Sequence, residues 1–179
     1  MIGFLIVLVQ YGAFQKLSKT PYRSESSFAE QIIPTTIRNG QSTIKTDQIT
    51  HDFFKALSIA AEQIRNMDEK PILIDATGAA PLVSYHLEAK PVITPWLTGG
   101  LNGSQNLFDL AISRLGDDTL SRAWILIAPD GPRKHSLVSL EARGLNITEG
   151  YIAVATARAP HYDVEYILFK PLEVPFENY

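Results

Sequence analysis

Three short stretches carry the side chains best suited to chemistry: DATGAAP at 75–81, TPWLTGGLNGS at 94–104 and APDGP at 128–132. Each contains glycine and follows an apolar run, and two contain an aspartate, Asp75 and Asp130. Backbone N–H groups of a glycine-rich loop at a helix start form a ready anion site. Gly78, Gly99, Gly100, Asn102, Gly103 and Ser104 are therefore candidate contacts for a phosphate or nucleotide. Asp75 is placed to hold a ribose hydroxyl or a metal, with Asp130 as a second carboxylate contact. Against this, the same residue types dominate turns for conformational reasons, and Ser104 serves as an N-cap without any ligand. GGLNGS is neither G-x-G-x-x-G nor the lysine-bearing phosphate loop. Turn chemistry is the stronger reading of that stretch.

The remaining reactive residues form no constellation. His51, His86, His135 and His161 share no metal-ligand spacing, and the chain has no cysteine, which excludes thiolate metal sites and disulfides. His86 reads as a packed or surface residue. G-x-S-x-G is absent, so no nucleophile elbow is present. Arg133, Lys134 and His135 form a small basic cluster suited to a phosphate or lipid headgroup, but the solvated start of a helix is the stronger reading. Trp96 and Trp124 read as packing anchors. The sequence thus names no catalytic residue, no metal and no cofactor. A net charge of −3, with 16 basic and 19 acidic residues, argues against a nucleic-acid partner, which calls for a basic face.

Hydrophobic periodicity supplies the elements that would position these loops. Phe53, Phe54, Leu57, Ala60, Ala61 and Ile64 recur at three- and four-residue spacing, which predicts an amphipathic helix started by Thr50 or Asp52. Strands are expected over 72–74, at KPVIT and over 123–128, then as a closing pair, GYIAVATARAP and YDVEYILFKP. Helices are expected at PLVSYHLEA, with Pro81 in the first turn, at SQNLFDLAISRLG, with Leu107, Leu110, Ala111 and Leu115 on the buried face, and at KHSLVSLEARG, ending at Gly144. Strands alternating with helices predict a three-layer α/β domain. Its mixed sheet is expected to be mostly parallel, with an antiparallel strand pair at the C-terminal end and helices on both faces. In such a sheet ligands bind outside the carboxyl ends of the strands, where all three loops fall.

The first residues follow a different rule. MIGFLIVLVQYGAF runs fourteen residues without a charge, whereas a spanning helix needs roughly 20 apolar residues. The stretch reads first as the tail of a membrane helix, second as an N-terminal anchor or signal, and third as a core segment. Its flank, Lys16, Lys19 and Arg23, favours the cytoplasmic side by the positive-inside rule. The expected organisation is a partial transmembrane or anchor helix at 1–17, a Ser/Thr/Pro-rich linker at 18–47 and an α/β domain at 48–179.

The order apolar segment, linker, helix, PILIDATGAAPLVSYHLEAKPVI, RAWILIAPDGP, helix and closing strand pair resembles a known arrangement. It is similar to the soluble C-terminal domain that follows the last membrane helix in GT-C-type multi-spanning glycosyltransferases. These are relatives of protein O-mannosyltransferases and aminoarabinose transferases, which use polyprenyl-phosphate sugars. The resemblance spans roughly residues 45 to 170 and includes the short Tyr-containing helix at SYHL. It implies an extracytoplasmic (periplasmic) accessory domain of a bacterial membrane protein. Its membrane contact would run through the apolar N-terminus, and a polyprenyl-phosphate sugar or acceptor glycan would be met through the parent protein. The family's catalytic acids lie in an early loop between membrane helices, so none carries over to this chain. PWLTGGLNGS is longer and richer in glycine than the family pattern. Two other readings stay open: a small enzyme binding a nucleotide or phosphate at the strand edge, and a non-enzymatic cell-envelope interaction domain.

Overall fold

The structure is a computed structural model and describes residues 26–38, 40–93, 99–161 and 163–172. The expected membrane helix at 1–17 lies outside these residues, as do Pro95 and Trp96. Among the described residues no helix is long and apolar enough to cross a membrane.

The chain forms a mixed α/β domain. Strand β1 (Ile33–Ile37) and strand β2 (Ser42–Thr46) make an antiparallel hairpin. Helix α1 (Gln48–Arg65) follows, then β3 (Ile72–Asp75), α2 (Pro81–Leu87) and β4 (Lys90–Pro91). After these come α3 (Ser104–Ser113), α4 (Asp117–Ser121) and β5 (Trp124–Ile127). The chain closes with α5 (Val138–Glu141), α6 (Ile147–Gly150), β6 (Tyr151–Arg158) and β7 (Glu165–Pro171). The main sheet has five strands in the order β4-β3-β5-β7-β6.

The sheet is mixed, but half of its pairings are antiparallel rather than a minority. β3 pairs in parallel with β4 and β5, while β7 is antiparallel to both β5 and β6. The closing strands do form the expected antiparallel pair. The last strand, however, turns back into the space beside β5 and leaves β6 at the edge. β6 consequently runs parallel to β5, and its end shares the carboxyl edge with β3 and β5.

Strand alternation divides the core in two. Leu73, Trp124, Leu126 and Leu168 face Phe53, Phe54, Leu57, Ala60, Ala61 and Ile64 of α1 and Val83 and Leu87 of α2. Their neighbours Ile74 and Ile125 face Phe108 and Ile112 of α3, Leu120 of α4 and Leu140 of α5. Helices therefore cover both faces, and Trp124 is the packing anchor expected of it.

Three local expectations change. Residues 33–46, read as linker, form the hairpin, and Thr35 and Ile37 are buried. Thr35 Oγ1 lies 2.5 Å from Thr46 Oγ1 and 3.1 Å from His51 Nδ1, which ties the hairpin to α1. The cap of α1 is Asp47, whose carboxylate accepts from Thr50 N at 2.7 Å. In α3 the buried residues are Phe108 and Ile112, while Leu107 and Leu110 are nearly half exposed. That segment carries two overlapping apolar stripes, and the sheet takes the one bearing the large aromatic ring.

Candidate functional site

β3 delivers Asp75 to the carboxyl edge, where its side chain is 2% exposed. The carboxylate is taken up within its own turn. It accepts from Thr77 N at 2.9 Å, Thr77 Oγ1 at 2.6 Å and Ala80 N at 3.3 Å. Burial raises its pKa above the ordinary value, opposed by those hydrogen bonds, first of all the one from the Thr77 side chain. Asp75 is thus a structural acceptor that closes the turn into α2.

The three loops do meet at this edge, backbone against backbone. A Cβ at Gly78 would lie 2.5 Å from Arg133 O and 2.9 Å from Gly99 Cα, and a Cβ at Gly99 would overlap the Gly78 carbonyl. A Cβ at Gly100 would come within 3.2 Å of the Arg133 side chain. The 128–135 loop is further pinned by His135 N donating to Ala76 O at 2.8 Å. Gly78, Gly99 and Gly100 are therefore glycines because neighbouring chain fills the space their side chains would need. Gly103 (φ +82°) faces open space and is the residue before α3; Ser104 is the first helical residue and makes no capping bond. Asn102 and Asp130 are exposed. The structure brings together Asp75, Gly78, Gly99 and Gly100, and leaves Asn102, Gly103 and Asp130 on the surface.

The basic cluster after APDGP is not a solvated helix start. His135 is 5% exposed and lies flat on Phe108, ring centroids 4.5 Å apart and 6° from parallel. Its Nε2 is buried without a hydrogen-bond partner. Burial lowers its pKa, with Asp109 acting in the opposite direction. Lys134 Nζ donates to Pro129 O, and helix begins only at Val138. Phe108 and His135 belong to different elements, and nothing in their spacing signals the stack. His86 is packed as expected, 2% exposed and 5.0 Å from the Phe54 ring. Both its nitrogens lack partners, and burial holds its pKa at about 4. Among the described residues no group of three or more His, Asp or Glu is placed to hold a metal ion.

A feature that sequence reasoning missed lies at the β4 edge, between the hairpin turn, α2 and β4. It is a groove of about 900 Å³ whose walls include Arg38, Lys70, Leu82, Tyr85, Glu88 and Pro91. Arg38 Nε and Lys70 Nζ approach the Glu88 carboxylate at 3.7 and 3.8 Å, and the Arg38 guanidinium sits 5.6 Å from the Tyr85 ring centroid. Arg38 (φ +50°) and Glu88 (φ +54°) both hold the left-handed backbone region. That region costs an L-residue roughly 1–2 kcal/mol. Beside the groove, and sharing Pro81 and Leu82 with it, an apolar recess of about 190 Å³ opens between Phe53, Phe54 and Tyr166.

No family model matches the chain, and no curated protein or solved structure matches it either.

Proposed function

We propose that this α/β unit is an accessory, non-catalytic domain of a bacterial membrane protein, a transferase of lipid-linked sugar. It lies on the extracytoplasmic side and reaches the membrane through the apolar N-terminal segment. Polyprenyl-phosphate sugar or acceptor glycan is met through the parent protein. The resemblance in element order supports this reading, including the small-residue turn after β3 and the Tyr-bearing helix that follows.

The observation that carries its non-catalytic part is the state of Asp75. An open α/β sheet places its chemistry at the carboxyl edge. There the buried carboxylate of Asp75 already accepts three hydrogen bonds from its own turn. Beside it Gly99 is packed against the Gly78 backbone and Gly100 against the Arg133 side chain. The alternative of a small phosphate- or nucleotide-binding enzyme needs that same space.

The deciding experiment is to read the DNA upstream of the codon for Met1. A reading frame continuing through several hydrophobic segments supports a polytopic parent. A stop codon and ribosome-binding site immediately upstream removes the parent and with it the accessory role.

A further inference from the structure

We propose that the groove at the β4 edge binds a neutral oligosaccharide, with Tyr85 as the apolar platform and Arg38, Glu88, Lys70 and Gln41 as its hydrogen-bonding rim. At about 900 Å³, its volume falls in the range of small-ligand sites, roughly 300–1,000 Å³. It far exceeds what a lone phosphate needs. The inference concerns this chain's own surface and stands whether or not the parent protein transfers sugar.

The rim selects the ligand class. Arg38 and Lys70 offer only donors, Glu88 offers only acceptors, and Gln41 offers both. The Glu88 carboxylate stands between the two cations at 3.7 and 3.8 Å, beyond hydrogen-bond distance. It would repel an anion that tried to bridge them. The Glu88 side chain keeps 22% of its surface exposed, while its Oε1 and the hydroxyl of Ser84 are buried beneath the groove and out of a ligand's reach. A polyol satisfies both halves of such a rim at once, accepting from the cations and donating to the carboxylate. Tyr85 and Leu82 are about half exposed, and Pro81 and Pro91 flank them. Together they form an apolar floor suited to the C–H face of a sugar ring.

An extended peptide fits less well. Peptides commonly bind such sheet edges by adding a strand. At β4 and the residue after it, Lys90 N and Val92 N both point inward, donating to Pro71 O and Leu73 O at 2.9 and 3.1 Å. The outward position between them is Pro91, which has no N–H to offer. The left-handed backbone of Glu88 is the C-cap of α2, its N–H donating to the last carbonyls of that helix, and that of Arg38 belongs to the hairpin turn closed by Gln41 N donating to Arg38 O. Both are fixed by the fold and hold the two charged groups in place.

The test uses the full chain in a detergent without a sugar headgroup. It is applied to an array of short neutral oligosaccharides, to immobilised peptides, to inorganic phosphate and to phosphatidylglycerol vesicles. Binding to one or more neutral glycans is expected, weakened about tenfold or more by Glu88→Gln through loss of the charged acceptor. Tyr85→Ala should weaken it similarly, with the unfolding midpoint of both variants near that of the parent chain. Gln41→Ala replaces either variant if it fails to fold. The proposal is overturned if no glycan binds above background, or if binding ignores all three substitutions. Retention only by phosphate, acidic vesicles or peptides overturns it equally.

Discussion

The Asp75 carboxylate accepts the Thr77 hydroxyl at 2.6 Å, two residues along the same turn. A residue that reads from sequence as a ligand contact is thereby built into the fold. Asp75→Ala would strand two buried N–H groups and the Thr77 hydroxyl, each lost bond to a charged acceptor being worth about 1.5–3 kcal/mol. Because the alanine also relieves the desolvation of the buried carboxylate, urea unfolding is expected to show a smaller net loss, about 3 kcal/mol. Asp75→Asn should fall between the two, because its oxygen still serves Thr77 while its NH₂ opposes Ala80 N. Asp130→Ala, at an exposed position, should change stability by about 0.5 kcal/mol or less. A double alanine variant at Asp75 and Asp130 therefore loses its stability through Asp75.

The glycines divide in the same way. Gly99→Ala and Gly78→Ala both drive a methyl group into backbone atoms, which no rotamer change relieves. Each is expected to cost about 2 kcal/mol or more, as overpacking does. Gly103→Ala meets open space but keeps a φ of +82°, so about 1 kcal/mol is expected from the left-handed backbone alone. Denaturation midpoints rank the three directly. Equal and small effects would mean that the loops at 75–81 and 99–104 are not locked against each other.

Periodicity made the scaffold legible. The face of α1 follows from spacing, and the strand expected at 72–74 and the closing pair follow from apolar runs bounded by turn residues, because the residues there obey one local rule each. What spacing does not carry is which loop a loop touches. Gly78 and Gly99 are glycines for each other's sake, across a separation no local pattern spans. The hairpin at 33–46 was hidden because its strands bury little besides Thr35, Ile37 and Thr46, so polar composition passed for a linker. In α3 two apolar stripes competed, and only the sheet on the other side decides between them. The groove at β4 is assembled from residues of the hairpin turn, α2 and the β3–β4 region, none of which forms a motif by itself.

That choice of stripe in α3 is measurable. Phe108 stacks on His135 and is 1% exposed. Phe108→Ala is expected to cost about 3–5 kcal/mol, the usual range for a buried aromatic. Leu107→Ala, at a residue 49% exposed, should cost well under half as much. Equilibrium unfolding of the two variants decides the matter. The reverse ranking would put the helix rotated on the sheet.

Acid should weaken the fold in a defined window. His86 is buried against Phe54, and its pKa is lowered to about 4, while in the unfolded chain it titrates near 6.5. Above pH 6.5 the ring is neutral in both states and contributes no pH dependence. As pH falls below 6.5 the unfolded chain takes up the proton first, so stability declines until the folded ring also protonates near pH 4. Two and a half units at 1.36 kcal/mol each make a loss of about 3 kcal/mol across that window. His135, whose pKa burial also lowers, acts in the same direction, whereas Asp75, whose pKa burial raises, takes up its proton first in the folded state and offsets part of the loss. Unfolding free energies at intervals between pH 4 and 8 should show this slope in the parent chain. His86→Leu, which keeps an apolar side chain in the same space, should flatten most of it and leave the part due to His135. An unchanged slope in that variant would place the acid sensitivity elsewhere and mean that the His86 ring already finds water in the folded state.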